Sequence, residues 1–234
     1  MKFKLDIKNL LEYFDLREST EKGDTTSVIS VAGEDLNSAI FRSFREEEFK
    51  AKIKVFDDTP TLGKKKGKHL DRWIFEEKGK IKVLYQAEIK NWGARALGGS
   101  DVPLDVGAGE LSELIKKHWN HFSDIDKKEV NGINKVFVKM DDYKVRKIIG
   151  KRKCTRVPLL IIWEVVHPKG KNKYFYRYKV NVNKKYFDFG YCDIFSCSLY
   201  LRCLRAKKIK KIEVEMPNVR RRLLDMNRLF PILK

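Results

Sequence analysis

Over residues 84–92, Leu-Tyr-Gln-Ala-Glu-Ile-Lys-Asn-Trp, the side chains of an extended chain alternate between two faces. Gln86, Glu88 and Lys90 then share one face, and Tyr85, Ala87 and Ile89 the other. The run is apolar enough to be a buried strand, and an unpaired polar group inside a protein costs about 1–3 kcal/mol, so three polar side chains on one buried face need a reason. Upstream, residues 69–76 form a second apolar run, joined to residues 81–92 by the polar stretch Glu77, Lys78, Gly79 and Lys80. That pattern predicts a hairpin. A turn centred near Lys78 sets position 71 across from about position 86, which gathers Asp71, Glu88 and Lys90 at one end.

The rest of the chain mixes both periods. A helix is expected from about Ile7, a loop over 17–27, and a helix from Gly33 on the spacing of Leu36, Ala39, Ile40 and Phe44. Glu34 and Asp35 would lie in the first turn of that helix, where its dipole favours negative charge. Residues 52–56 alternate as a strand, and 63–68 form a Gly/Lys loop without a phosphate-cradling glycine motif. After a glycine-rich loop over 93–109, a helix from Glu110 buries Leu111, Leu114, Ile115, Trp119 and Phe122 and leaves Lys116 and Lys117 off its stripe. Residues 135–140 fit a short strand or helix, and 158–166 read as a strand buried on both faces. A strand over 174–182, a helix over 195–204, a strand over 208–216 and a helix over 218–230 follow. This mixture predicts an α/β or α+β fold, a central mixed sheet flanked by helices. The expected arrangement is one domain over 1–234, with a core at about 28–166 and a basic extension at about 167–234 packed on it.

Composition adds a partner class. The chain has 234 residues, 42% of them hydrophobic, enough for a substantial core. It shows no apolar run of about 18 residues and no signal-peptide core after Met1, so a cytoplasmic protein is expected. The four cysteines form no C-x-x-C pair, which favours buried thiols over a zinc site. Net charge is +19, divided unevenly: residues 1–150 hold 29 Lys and Arg against 26 Asp and Glu, and residues 151–234 hold 22 against 6. Such clustering is the footprint of a phosphate-backbone binder. The expected nucleic-acid contacts are Lys207, Lys208, Lys210, Lys211, Arg220, Arg221 and Arg222, with Lys64, Lys65, Lys66, Lys116 and Lys117 from the first part of the chain.

Clustered carboxylates repel one another unless a cation sits between them, and oxygen donors suit Mg²⁺ or Mn²⁺. Glu34, Asp71 and Glu-x-Lys at 88 and 90 together resemble the restriction-endonuclease-like superfamily, whose motif is written PD-(D/E)-x-K. Leu70 stands where the motif name has proline. The resemblance spans roughly residues 33–122. It implies a divalent-metal-dependent deoxyribonuclease with Asp71 and Glu88 as metal ligands, Lys90 orienting or activating the attacking water, and Glu34 as an auxiliary acid. Gln86 could hold a water or a phosphate oxygen. DNA stands ahead of RNA as partner, and a homodimer is the common way for such enzymes to cut both strands. The alternative is a nucleic-acid-binding protein without catalysis, in which Glu88 and Lys90 form an ordinary ion pair.

Overall fold

The computed structural model describes residues 2–15, 22–56, 70–90, 132–140, 149–150, 153–163, 173–180 and 182–229. Along the chain these form β1 (Phe3–Asp6), α1 (Ile7–Asp15), α2 (Lys22–Phe49), β2 (Lys52–Phe56), β3 (Arg72–Lys78), β4 (Ile81–Lys90) and a short 3₁₀ helix (Gly132–Phe137). Then come β5 (Thr155–Ile162), β6 (Phe175–Lys179), β7 (Tyr191–Ser196), α3 (Cys197–Ala206), β8 (Lys211–Val214) and α4 (Pro217–Leu229). The fold is mixed α/β, as the alternating periods led us to expect.

Six strands make one mixed sheet in the order β2-β3-β4-β5-β7-β6, while β1 and β8 pair separately. Strands β2, β3 and β4 are an antiparallel meander; β4, β5 and β7 run parallel; β6 returns antiparallel on β7. Parallel strands have to be covered on both faces. β5 meets that demand, buried from Val157 to Ile162. Leu159 and Ile161 join Leu36, Ile40, Phe41 and Phe44 of α2, whereas Leu160 and Ile162 join Val136, Phe137 and Met140 on the other side. Pro158 falls before the pairing with β7 begins at Leu159, where its missing N–H breaks no bond to that strand.

Three elements depart from the sequence reading. Helix α2 starts at Lys22, which replaces the loop expected over 22–27 and puts Glu34 and Asp35 well inside the helix. The dipole acts only over the first turn, so it does not account for either acid. Burying Leu36, Ile40, Phe41 and Phe44, at about 1.5–3 kcal/mol each, outweighs the roughly 1 kcal/mol that Gly33 costs in a helix interior. Residues 191–196 form a strand, and the helix expected from 195 starts at Cys197, because Ile194 and Phe195 fit either period and are fully buried in the sheet. Strand β1 went unpredicted, being short and held by its partner β8.

The hairpin turn comes one residue later than the polar stretch suggested. Gly79 and Lys80 are its two central residues, and Gly79 takes φ +57°, which only glycine adopts without strain at the first position of this turn. Arg72 therefore pairs with Ala87. Asp71, a bend residue ahead of β3 and not part of the strand, stands one step further on beside Glu88, not Gln86. The four cysteines are unpaired; Cys192 and Cys197 are buried, and burial pushes their thiols up. Among the described residues no helix is long and apolar enough to cross a membrane.

Candidate active site at the end of strand β4

Strand β4 has two unlike faces. Tyr85, Ala87 and Ile89 pack into the layer under α2. Leu84 packs into the opposite layer, and Gln86 and Glu88 follow it on that face, 0% and 2% exposed. Gln86 donates from Nε2 to the carbonyls of Val136 and Val138, at 2.5 and 2.8 Å. Its Oε1 is buried without a hydrogen-bond partner. The amide N–H groups of Asp188 and Phe189 donate to the Phe137 carbonyl, and Val136 and Phe137 are fully buried. The 3₁₀ helix is thus pinned against β4.

That pinning brings Lys135 to the site. Its Nζ lies 2.9 Å from Glu88 Oε2, while Lys90 Nζ lies 2.8 Å from Oε1. Burial pushes the Glu88 carboxyl up and Asp71 adds to the shift; Lys90 and Lys135 pull against it. Asp71 is held by the strand itself, its Oδ2 accepting from the Ile89 N–H at 2.7 Å. Glu34, half exposed, is raised by burial and then by Asp71, with Arg72 and Lys90 opposing. Glu34, Asp71, Glu88 and Lys90 are therefore electrostatically coupled at one end of the hairpin. This end lies at the carboxyl side of β4, the side on which open α/β sheets bind ligands.

Three residues of the neighbourhood escaped the sequence reading. Arg72 reaches Glu34 Oε2 at 3.2 Å, Asp35 Oδ1 at 2.8 Å and the Asp71 carbonyl at 2.6 Å. Asp35 also accepts from the backbone N–H groups of Asn218 and Val219 at 2.8 and 3.0 Å, which caps α4 from another helix. That contact explains an acid inside α2. The one signal that could have found Arg72 is its place next to Asp71. Lys135 carried no signal, since it lies in a segment of ambiguous period far along the chain.

Among the described residues no group of three or more His, Cys, Asp or Glu side chains is arranged to hold a metal ion. Glu88 turns both oxygens to ammonium groups. The donor chemistry nonetheless fits the expected ion, because Glu34, Asp71 and Glu88 offer only hard carboxylate oxygens.

The basic residues separate into different surroundings. Arg220 shares a groove of about 380 Å³ with Arg42, Arg72 and Asp35, next to the candidate site. Lys208 and Lys210 line a groove of about 500 Å³ with Lys8 and Arg205, against Asp6. Lys207 and Lys211 line one of about 540 Å³ in which Glu46, Glu47, Glu48 and Glu213 offset them. Arg221 is exposed on α4. Lys64, Lys65, Lys66, Lys116, Lys117 and the side chain of Arg222 lie outside the described residues.

Fold and site together define a mixed α/β protein with a carboxylate–lysine cluster at the end of a central strand. No protein-family model matches the chain, and neither does any curated protein or solved structure.

Proposed function

We propose that this chain is a divalent-metal-dependent nuclease that hydrolyses phosphodiester bonds in DNA, with a site similar to that of the restriction-endonuclease-like superfamily. The observation that carries the reading is the convergence of Asp71, Glu88 and Lys90, with Asp71 anchored on the Ile89 N–H next to the Glu-x-Lys pair. An antiparallel meander that continues into parallel strands beneath a helix supports the same reading. Asp71 and Glu88 would hold Mg²⁺ or Mn²⁺, with Glu34 assisting. Such an ion supplies Lewis-acid polarisation of a phosphoryl oxygen and a more acidic water. Lys90 orients the attacking water and steadies developing charge. The unpartnered Oε1 of Gln86 suits a water on the same face. Arg220, Lys208, Lys210 and their neighbours would meet the backbone phosphates. Restriction, phage defence and repair are the contexts in which similar enzymes serve, commonly as dimers.

One observation favours a second reading. Glu88 is balanced by Lys90 and Lys135, as the acid of a buried structural ion pair would be, and a nucleic-acid binder without catalysis would need no more. A cleavage panel separates the two: plasmid, linear and single-stranded DNA and RNA, with Mg²⁺, Mn²⁺ or EDTA. The nuclease should nick DNA only with metal. Glu88→Ala and Lys90→Ala should each lower the rate on the order of a thousandfold, matching several kcal/mol of lost transition-state stabilisation. Salt-sensitive binding with no cleavage would move the assignment to the second reading, and full cleavage by both variants would sink the assignment of catalysis to this site.

A further inference from the structure

One cation on Glu88 comes from outside the motif. Lys90 alone suffices to balance one carboxylate, yet Lys135 arrives from a separate segment and sits 2.9 Å from the other oxygen. We propose that Lys135 is a built-in counter-ion of Glu88, one that fills the cation position at Oε2 in the metal-free protein and gives way when a divalent ion takes that oxygen. This inference rests on the metal-dependent reading given above.

The geometry carries it in three ways. First, the backbone that bears Lys135 is fixed, through Gln86 to the Val136 and Val138 carbonyls and through Asp188 and Phe189 to Phe137. Any adjustment therefore falls to the lysine's flexible four-carbon stem, whose compact ammonium has no fork geometry to preserve. Second, the Lys135 side chain is 17% exposed while Glu88 is 2% exposed, so the lysine has water to turn towards and the carboxylate has none. Third, among the described residues the acids gathered here, Glu34, Asp35, Asp71 and Glu88, outnumber the cations paired with them, Arg72, Lys90 and Lys135. Lys135 is in this sense a positioning residue whose partner changes with metal.

Thermal unfolding of the full chain in EDTA and in saturating Mn²⁺ tests the exchange, together with Mn²⁺ titration calorimetry. In EDTA, Lys135→Met should melt below wild type and Lys135→Arg should recover most of the loss. In Mn²⁺ the deficit of Lys135→Met should disappear, and its Mn²⁺ affinity should rise by roughly tenfold, because a repelling charge beside the ligand is gone. In a Glu88→Gln background Lys135→Met should change little. A deficit of equal size in both buffers, or weaker Mn²⁺ binding by Lys135→Met, would overturn the proposal and leave an ordinary structural ion pair. Should Lys135→Met fail to fold, Lys135→Gln carries the same comparison. A wild-type protein that binds no Mn²⁺ and cuts nothing overturns the metal-dependent reading itself, and the counter-ion exchange with it.

Discussion

Glu76 of β3 and Glu88 of β4 are both buried on one hairpin, 3% and 2% exposed, and face opposite sides of the sheet. Glu76 meets Arg45 of α2 through two bonds of 2.7 Å, and the guanidinium lies 3.9 Å from the centre of the Phe49 ring. A planar fork matched to a carboxylate and stacked on an aromatic ring is a pairing made once and kept. Glu88 meets two separate ammonium groups instead, with Asp71 near enough to raise its proton affinity further. Point charges on flexible stems can be exchanged for another cation. Equal burial therefore accommodates two kinds of ion pairing, and the type of cation tells them apart.

Arg45→Met should separate the two most strongly. Leaving Glu76 buried without its partner is expected to lower stability by about 3–5 kcal/mol in urea unfolding, with cleavage per folded molecule unchanged. Loss of cleavage without loss of stability would erase the contrast. A smaller effect is expected from Gln86→Leu, which takes this donor from the buried Val136 carbonyl and the part-buried Val138 carbonyl at about 1–3 kcal/mol. Limited proteolysis should then cut within residues 132–140 of the native protein, and cutting no faster than in wild type would show that the 3₁₀ helix holds without this tether.

The smallest effect concerns pH. Glu34 has a folded value above its ordinary 4.5, raised first by burial and then by Asp71. The folded protein then keeps a proton that the unfolded chain has already released, so the stability this group contributes is present below the ordinary value and falls as pH rises through the folded one. In EDTA, wild type should decline relative to Glu34→Gln from about pH 4.5 upward, followed by urea midpoints. A gain of wild type over the variant across that range would reverse the sign and place Glu34 outside the coupled cluster.

Periodicity made the hairpin, β5 and the amphipathic part of α2 legible, because each follows its period over enough residues to be distinctive. The site was legible in part. Asp71, Glu88 and Lys90 could be gathered from a hairpin alone, although a one-residue error in the turn set Asp71 opposite the wrong neighbour until Gly79 fixed the register. Lys135 and Asp35 could not be found that way. Their roles arise from tertiary contacts, one with Glu88 through a pinned 3₁₀ helix and one with the amino end of α4, which leave no local spacing to read. Strand β7 was hidden by a run that suits either period, and only its place between β5 and β6 decides it.

That place also sets an order of assembly. Among the described strands β6 joins the sheet only through β7, which follows it in the chain, and β1 finds β8 across about 200 residues, a closure whose entropy must be met before any contact rewards it. During synthesis the aromatic β6 must wait with an open edge until β7 emerges to cover it. The step most exposed to misassembly is therefore the insertion of one six-residue strand, Tyr191–Ser196, and slow refolding with concentration-dependent aggregation is the behaviour this topology favours.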